Sequence, residues 1–330
     1  MINIFLLILI NIALSFLLIK YRFIISKTFN LLDKPKKNKI HNETVPIIGG
    51  LLIMLGFISN LIFLEVINIE NQIMNITLIL SLFAIGFLDD MKNLKPNTKL
   101  LICTGVILFL TIQDKQLHIS HLNFFFFDRL IFFNKHYIEI LIPTLCILLL
   151  INAYNMSDGI NGLAGMCALS WFFYIIIKDI LLSKYFAIII IFIFLYLFLN
   201  FRNYAFLGDG GNYLISGIIA STLIKLNFIF PQKFFAEEIF LILSIPGIDM
   251  FRLFCVRIYK MKNPFRGDLD HFHHILLREY NIKKTLLIYM GLINVPLYAF
   301  YYLNNYLIVI ILIQIIGYFF LINKKVLKKK

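Results

Sequence analysis

Long apolar runs alternate with short polar intervals from one end of this chain to the other. An α-helix rises 1.5 Å per residue, so runs of this kind match the ~30 Å hydrocarbon core of a bilayer. Eleven runs read as membrane spans: residues 2–19, 47–66, 73–88, 100–112, 138–154, 163–177, 185–199, 212–224, 236–255, 285–303 and 306–323. Pro143 predicts a kink in the fifth, and Pro246-Gly247 a break in the ninth. The pattern predicts an all-α, polytopic helix bundle.

Composition agrees with that picture. Of 330 residues, 60% are apolar and 15% charged, and the mean hydropathy of +0.86 lies outside the soluble range. No polar interval is long enough to bury a core of its own, so residues 1–330 read as a single transmembrane domain. The first run lacks a basic leader and a small-residue cleavage site and reads as a retained span. Cys103, Cys146, Cys167 and Cys255 fall in apolar runs without metal-like spacing and read as inert core thiols. The net charge of +13 is explained by topology, without nucleic acid. With the amino terminus outside and the carboxyl end cytoplasmic, 24 of the 31 Lys and Arg residues lie on the cytoplasmic side. Residues 113–137 are then external, and Phe124 to Phe127, Phe132 and Phe133 mark an interfacial segment rather than a site.

Four polar intervals carry the candidate chemistry, all on the predicted cytoplasmic face. Asn152 to Gly165 packs Asn152, Asn155, Asp158 and Asn161 among three glycines, which suits close approach to a small polar ligand. Asp89 and Asp90 end the third span, and adjacent carboxylates there call for a cation or a shared proton; Lys99 follows. Asp209 sits among Gly208, Gly210 and Gly211, either as a helix cap or as an exposed acid; the spaced acids of a calcium loop are missing. Beyond Arg266, His271, His273 and His274 form a dense imidazole cluster, read either as diphosphate donors or as a solvated amphipathic helix. Zinc is a poor match there, lacking Cys and an i, i+4 His pair. Upstream, the basic loop Lys34 to His41 leads to Pro46, Gly49 and Gly50, a tight entry whose amides could meet a phosphate.

In order, Asp89-Asp90 with Lys99, Asn152-Ala153-x-Asn155-x-x-Asp158-Gly159-x-Asn161-Gly162, Phe206-Leu207-Gly208-Asp209-x-Gly211, and Pro264-Phe265 with Asp268-x-x-His271-x-His273-His274 resemble the polyprenyl-phosphate N-acetylhexosamine-1-phosphate transferases of glycosyltransferase family 4. The resemblance spans about residues 30–280. It implies ten or eleven helices with the site on the cytoplasmic face of the bacterial inner membrane. The implied reaction moves an amino-sugar 1-phosphate from a UDP-N-acetylhexosamine to undecaprenyl phosphate, releases UMP and uses Mg2+, with Mn2+ as an alternative, to begin a cell-envelope glycan. By motif position, Asn155 and Asp209 match metal ligands. Asp158, Gly159 and Asn161 match the uracil site, and Asn152 joins the substrate-binding set. Lys99, His271, His273 and His274 match diphosphate contacts, Arg266 beside the imidazoles joins the substrate-binding set, and Asp89 and Asp90 match the acids that prepare the lipid phosphate or help hold the metal. A homodimer is compatible with the family.

The chain departs from the pattern at Asn203-Tyr204, where many members carry Pro, and at Asn212, where Ser or Ala is common. His-x-His-His resembles the N-acetylglucosamine branch; the muramoyl-pentapeptide branch, the alternative, usually has three consecutive histidines. A secondary transporter, a reading from another class, expects midplane acids and related halves, whereas these acids sit at span ends.

Overall fold

The structure is a computed structural model that describes residues 4–35, 43–63, 72–263 and 269–328. Most of the basic loop (Lys36 to His41), and Pro264, Phe265, Arg266 and Asp268 of the fourth motif, lie outside the described residues. In chain order the helices are α1 (Ile4–Lys20), α2 (Arg22–Thr28), α3 (Gly49–Phe63), α4 (Ile73–Lys92), α5 (Pro96–Gln113), α6 (His136–Ser157), α7 (Leu163–Lys178), α8 (Ser183–Asn200), α9 (Gly208–Ile229), α10 (Ala236–Tyr259), α11 (Phe272–Leu277), α12 (Ile282–Tyr302) and α13 (Leu307–Lys328). Each of the eleven apolar runs holds a helix over its described residues. Seven helices are long and apolar enough to cross a membrane, three apolar helices are shorter, and α1 with α2 forms a pair bent by 71°. This is an all-α polytopic membrane protein. The perimeter exposes large apolar side chains such as Phe16, Leu101, Phe109, Leu145, Phe194 and Phe251, which water would penalise and lipid accepts.

Helix α9 runs through the centre, buried along most of its length and packed against α4, α6 and α3. Its crossing with α4 depends on Gly86, where an added Cβ would lie 2.4 Å from the Asp209 carbonyl oxygen. No side chain fits there, so the two backbones approach closely.

Two small antiparallel pairs interrupt the helical architecture. Strands β1 (Leu32–Asp33) and β2 (Val45–Pro46) pair beside α2. The amides of Gly49 and Gly50 donate to the carbonyls of Phe206 and Leu207 at 2.8 and 3.0 Å. The expected phosphate-facing amides are therefore committed to holding the loop before α9. Strands β3 (His121–Phe124) and β4 (Arg129–Phe132) form a hairpin inside the segment read as interfacial. Cys103 and Cys167 are buried as expected, but Cys146 and Cys255 are exposed on the bundle's outside.

Helix α10 is continuous through Pro246-Gly247, in place of the expected break. Proline removes one N–H and so frees the carbonyl four residues earlier. Here that carbonyl, of Ile242, accepts the Trp171 indole N–H at 2.8 Å. The same remedy recurs at the other two intrahelical prolines. Pro143 in α6 frees the Glu139 carbonyl, which accepts the Ile119 amide at 3.1 Å. Pro296 in α12 frees the Leu292 carbonyl, which accepts the Gln314 side-chain amide at 2.8 Å.

Candidate active site

The end of α4, the start of α5, the end of α6 and the start of α9 meet at one end of the bundle. Asn93 adopts a left-handed conformation (φ 51°) and returns its amide to the Asp89 carbonyl, closing α4. Pro96 then opens α5. This turn brings Lys99, one turn into α5, back over Asp89. The Lys99 Nζ donates to Asp89 Oδ2 at 2.6 Å and to Asp209 Oδ2 at 2.7 Å, joining three elements. Asp89 Oδ1 accepts the Leu94 amide at 2.7 Å. Lys ammonium has three protons, so one remains for a ligand.

The two adjacent acids face different ways. Asp90 Oδ1 and Oδ2 accept the backbone amides of Asp209 and Gly210 at 2.8 and 2.9 Å, capping α9 from another helix. A carboxylate is favoured there because the first amides of a helix are otherwise unpaired and carry partial positive charge. Gly208, at φ +74°, supplies the left-handed turn that aims those amides at Asp90.

Asn212, one turn further along α9, bridges the α6 end. Its side-chain amide donates to Asn155 Oδ1 at 3.1 Å and to Asp158 Oδ2 at 3.0 Å. Burial pushes the Asp158 carboxyl up to about 6, against the Asn212 hydrogen bond, which lowers it. The Asn212 Oδ1 itself is buried without a hydrogen-bond partner among the described residues. Lys99, Asn152, Asn155 and Tyr213 line a cavity of about 160 Å³. Asp89 and Asp209 share one lysine while Asp90 and Asp158 add negative charge nearby, so the site has acidic groups to spare for a further cation. Asp209 and Asn155 provide the sparse, hard oxygen set that suits Mg2+, which keeps water and phosphate oxygens in its remaining positions.

The histidine motif is fastened differently. Buried Asp249 accepts His271 Nδ1 at 3.1 Å, the Phe272 amide at 3.1 Å, Arg252 Nη2 at 2.8 Å and the Tyr318 hydroxyl at 2.7 Å. His271 and His273 stack with ring centroids 5.6 Å apart, and His273 and His274 lie 4.1 Å apart. Phe272, His273, Ile275 and Leu276 are buried, which excludes the solvated amphipathic helix. His273 Nε2 presses on Gly159, where an added Cβ would lie 2.0 Å away, and this buried nitrogen has no hydrogen-bond partner among the described residues. Burial, then the flanking imidazoles, hold its ring well below the ordinary histidine range, so it is neutral.

The structure thus joins Asp89, Lys99 and Asp209 directly, ties Asn155 to Asp158, and sets Gly159 against His273. Asn152 lines the cavity, with its amide on its own helix at Leu148. Asn161 turns away and donates to Asn203 at 2.6 Å, in the loop before Asp209. Four residues of the arrangement were missed as site residues: Asn212, Tyr213, Asn200 and Asp249. Asn200 accepts the Gly162 amide and donates to the Ala205 carbonyl, pinning two motif loops together. Asp249 had a legible signal, an acid with Arg252 just past Pro246-Gly247, but nothing in the chain linked it to His271.

Residues 72–227, which carry every one of these groups except those of the histidine arm, match the family model of Glycosyl transferase family 4. The matched segment holds Asp89, Lys99, Asn155, Asp158 and Asp209. Over 264 residues the chain is 26% identical to the undecaprenyl-phosphate alpha-N-acetylglucosaminyl 1-phosphate transferase of Escherichia coli K12, covering 77% of this chain and 71% of that protein. The enzyme of the same name from Thermotoga maritima is 28% identical over 286 residues, covering 83% and 82%. A probable undecaprenyl-phosphate N-acetylglucosaminyl 1-phosphate transferase of Bacillus subtilis is 26% identical over 253 residues, covering 74% and 69%.

Proposed function

We propose that the protein transfers an N-acetylhexosamine 1-phosphate, with N-acetylglucosamine the leading sugar, from its UDP-linked donor to undecaprenyl phosphate, giving the lipid diphosphate sugar and UMP. The observation that carries this reading is Lys99 held between Asp89 and Asp209 beside Asn155, a cation framed by acids that suits a phosphorylated pair of substrates. The relatives' names and the bilayer-edge setting support the lipid acceptor. On this reading all eleven apolar helices cross the membrane, the amino terminus is outside, and the site faces the cytoplasm of a bacterial inner membrane.

A lipid phosphate oxygen forms a bond to the phosphorus attached to the sugar, and the bond to the bridging oxygen breaks, leaving that oxygen on UMP. Mg2+ held by Asp209 and Asn155 would neutralise the diphosphate and the charge developing on the leaving phosphate. Lys99 turns its third proton to a phosphate oxygen. Asp89, beside it, orients the acceptor phosphate and takes up its proton when protonated acceptor binds. Asp90 acts through α9, fixing where Asp209 stands. Asp158 accepts from the base, and Gly159 keeps the floor open against His273. His271 and His274 line the diphosphate path, and Asp249 sets their position.

Purified protein given radiolabelled UDP-N-acetylglucosamine, undecaprenyl phosphate and Mg2+ is expected to yield chloroform-soluble label and UMP. Asp209→Asn and Lys99→Met should lower turnover by at least about 100-fold, as loss of an electrostatic group at a transferring phosphoryl centre does. Parallel reactions with UDP-N-acetylgalactosamine and UDP-N-acetylmuramoyl-pentapeptide identify the donor. Donor flux into liposomes without lipid product would instead identify a transporter.

A further inference from the structure

The opposite end of the bundle holds a second group of ligating side chains that the transfer reaction does not use. His136 opens α6, and Asn155 lies nineteen positions further along that helix, roughly 28 Å away at 1.5 Å per residue. His118 lies before β3 and is buried, and Glu139 is one turn along α6 from His136. The ligand atoms of His118, His136 and Glu139 all lie within 4.8 Å of one another.

Tautomer logic shows what this cluster lacks. His118 Nε2 lies 2.9 Å from the Thr111 carbonyl oxygen, which can only accept, so the proton is on Nε2. Its Nδ1 then faces Glu139 Oε2 at 3.9 Å, and His136 Nδ1 faces the same oxygen at 3.3 Å. With both rings neutral and His118 in that tautomer, an imidazole lone pair opposes a carboxylate. A positive charge resolves this, either a second proton on the ring or a metal ion among the three groups.

The scaffold favours the ion. An imidazole whose other N–H is fixed on a backbone carbonyl is held as metal-ligating histidines are held. The Ile119 amide bonds the Glu139 carbonyl freed by Pro143, so the segment carrying His118 is fastened to the helical turn carrying the other two groups. Two imidazoles and one carboxylate form a recurrent zinc set with a fourth position for water. Of the three side chains, His136 is solvent-exposed and can rotate to close the coordination sphere.

We propose that His118, His136 and Glu139 bind one divalent transition-metal ion of the zinc class, clasping the two ends of the β3–β4 hairpin on the face remote from Asp209. The aromatic pattern of this segment marks it only as interfacial surface. His118 and His136 flank the hairpin, so the ion closes a loop whose first strand, β3, is already tied to α9 through Asn227 and the His121 carbonyl.

The test uses full-length protein, purified without a histidine tag, stripped with chelator and titrated with Co2+ and then Zn2+. One equivalent of Co2+ should give visible d–d absorption that Zn2+ abolishes, and Zn2+ should raise the melting temperature and protect residues 121–132 from proteolysis. His136→Ala and Glu139→Gln should weaken Zn2+ binding by more than about 100-fold, since even outer-shell losses cost about 10–100-fold. Both positions are solvent-accessible, so these variants are expected to fold, and retained transferase turnover would confirm it. Undiminished binding by His136→Ala would put the ion elsewhere in the protein and overturn the proposal. Absence of a Co2+ spectrum, with stability responding only to pH, would leave a protonated ion pair and overturn it equally.

Discussion

Asn212 shows how much one side chain can decide. A short hydroxyl at this position could not donate to both Asn155 and Asp158, whereas the amide holds both at about hydrogen-bond distance. The hydrogen bond also opposes the burial that lifts Asp158, whose carboxyl stands near 6 in the folded protein against 3.8 ordinarily. A raised carboxyl pKa means that the folded site keeps its proton to higher pH, so acceptor capacity at the base appears only above that value. kcat/KM for the UDP-sugar should therefore fall below pH 6. In Asn212→Ala the acid limb should move to higher pH, because the interaction favouring the ionised form is gone. A pH profile of KM and kcat for both proteins measures this, and an unmoved limb would separate Asp158 from nucleotide binding. The sequence displayed Asn212 only as a departure, because its meaning depends on α9 meeting the end of α6, a packing that no local pattern encodes. Asp89, Lys99 and Asp209 were legible as charged residues at span ends. Their shared hydrogen bonds were not, since 110 positions separate Lys99 from Asp209.

At the scale of elements, the six-residue α11 is too short to hold itself and relies on Asp249. That carboxylate gathers α10, the start of α11 and Tyr318 of α13. Asp249→Asn removes the charge that Arg252 and His271 share while keeping the size. It should raise KM for the UDP-sugar at least about tenfold and cost about 3 kcal/mol of stability, as breaking a buried ion pair does. Tyr318→Phe removes a single donor and should do far less. Kinetics with thermal unfolding in detergent test both; normal KM in Asp249→Asn would detach the histidines from donor binding. The helices themselves were legible because long apolar runs have few alternatives in a bilayer. The hairpin was not: Phe124 to Phe127 reads as interfacial whichever conformation it takes, and strand pairing between His121 and Phe132 has no composition cue. The continuous α10 was hidden for a similar reason, since Trp171 lies 71 positions from the Ile242 carbonyl that it satisfies.

For the whole molecule, the excess of Lys and Arg on one side sets the proposed orientation. Met261 lies in the exposed turn beyond α10, and Phe127 at the hairpin tip of the opposite end. In a cysteine-free background, Phe127→Cys should react with a membrane-impermeant maleimide in intact spheroplasts, and Met261→Cys only after lysis. The reverse pattern would invert the topology. It would also put the Lys99 site out of reach of cytoplasmic nucleotides.

The proline-freed carbonyls carry a consequence for biosynthesis. When α10 emerges into the bilayer, α7 has already been made and Trp171 is at hand for Ile242. Helix α12 has no such help: the donor for Leu292 is Gln314 on α13, translated after every other helix described. The same helix brings Tyr318 to Asp249. A nascent chain halted before Leu307 would thus carry an unquenched carbonyl facing lipid and a half-braced histidine arm, so the ribosome must deliver α13 before nucleotide capture can mature.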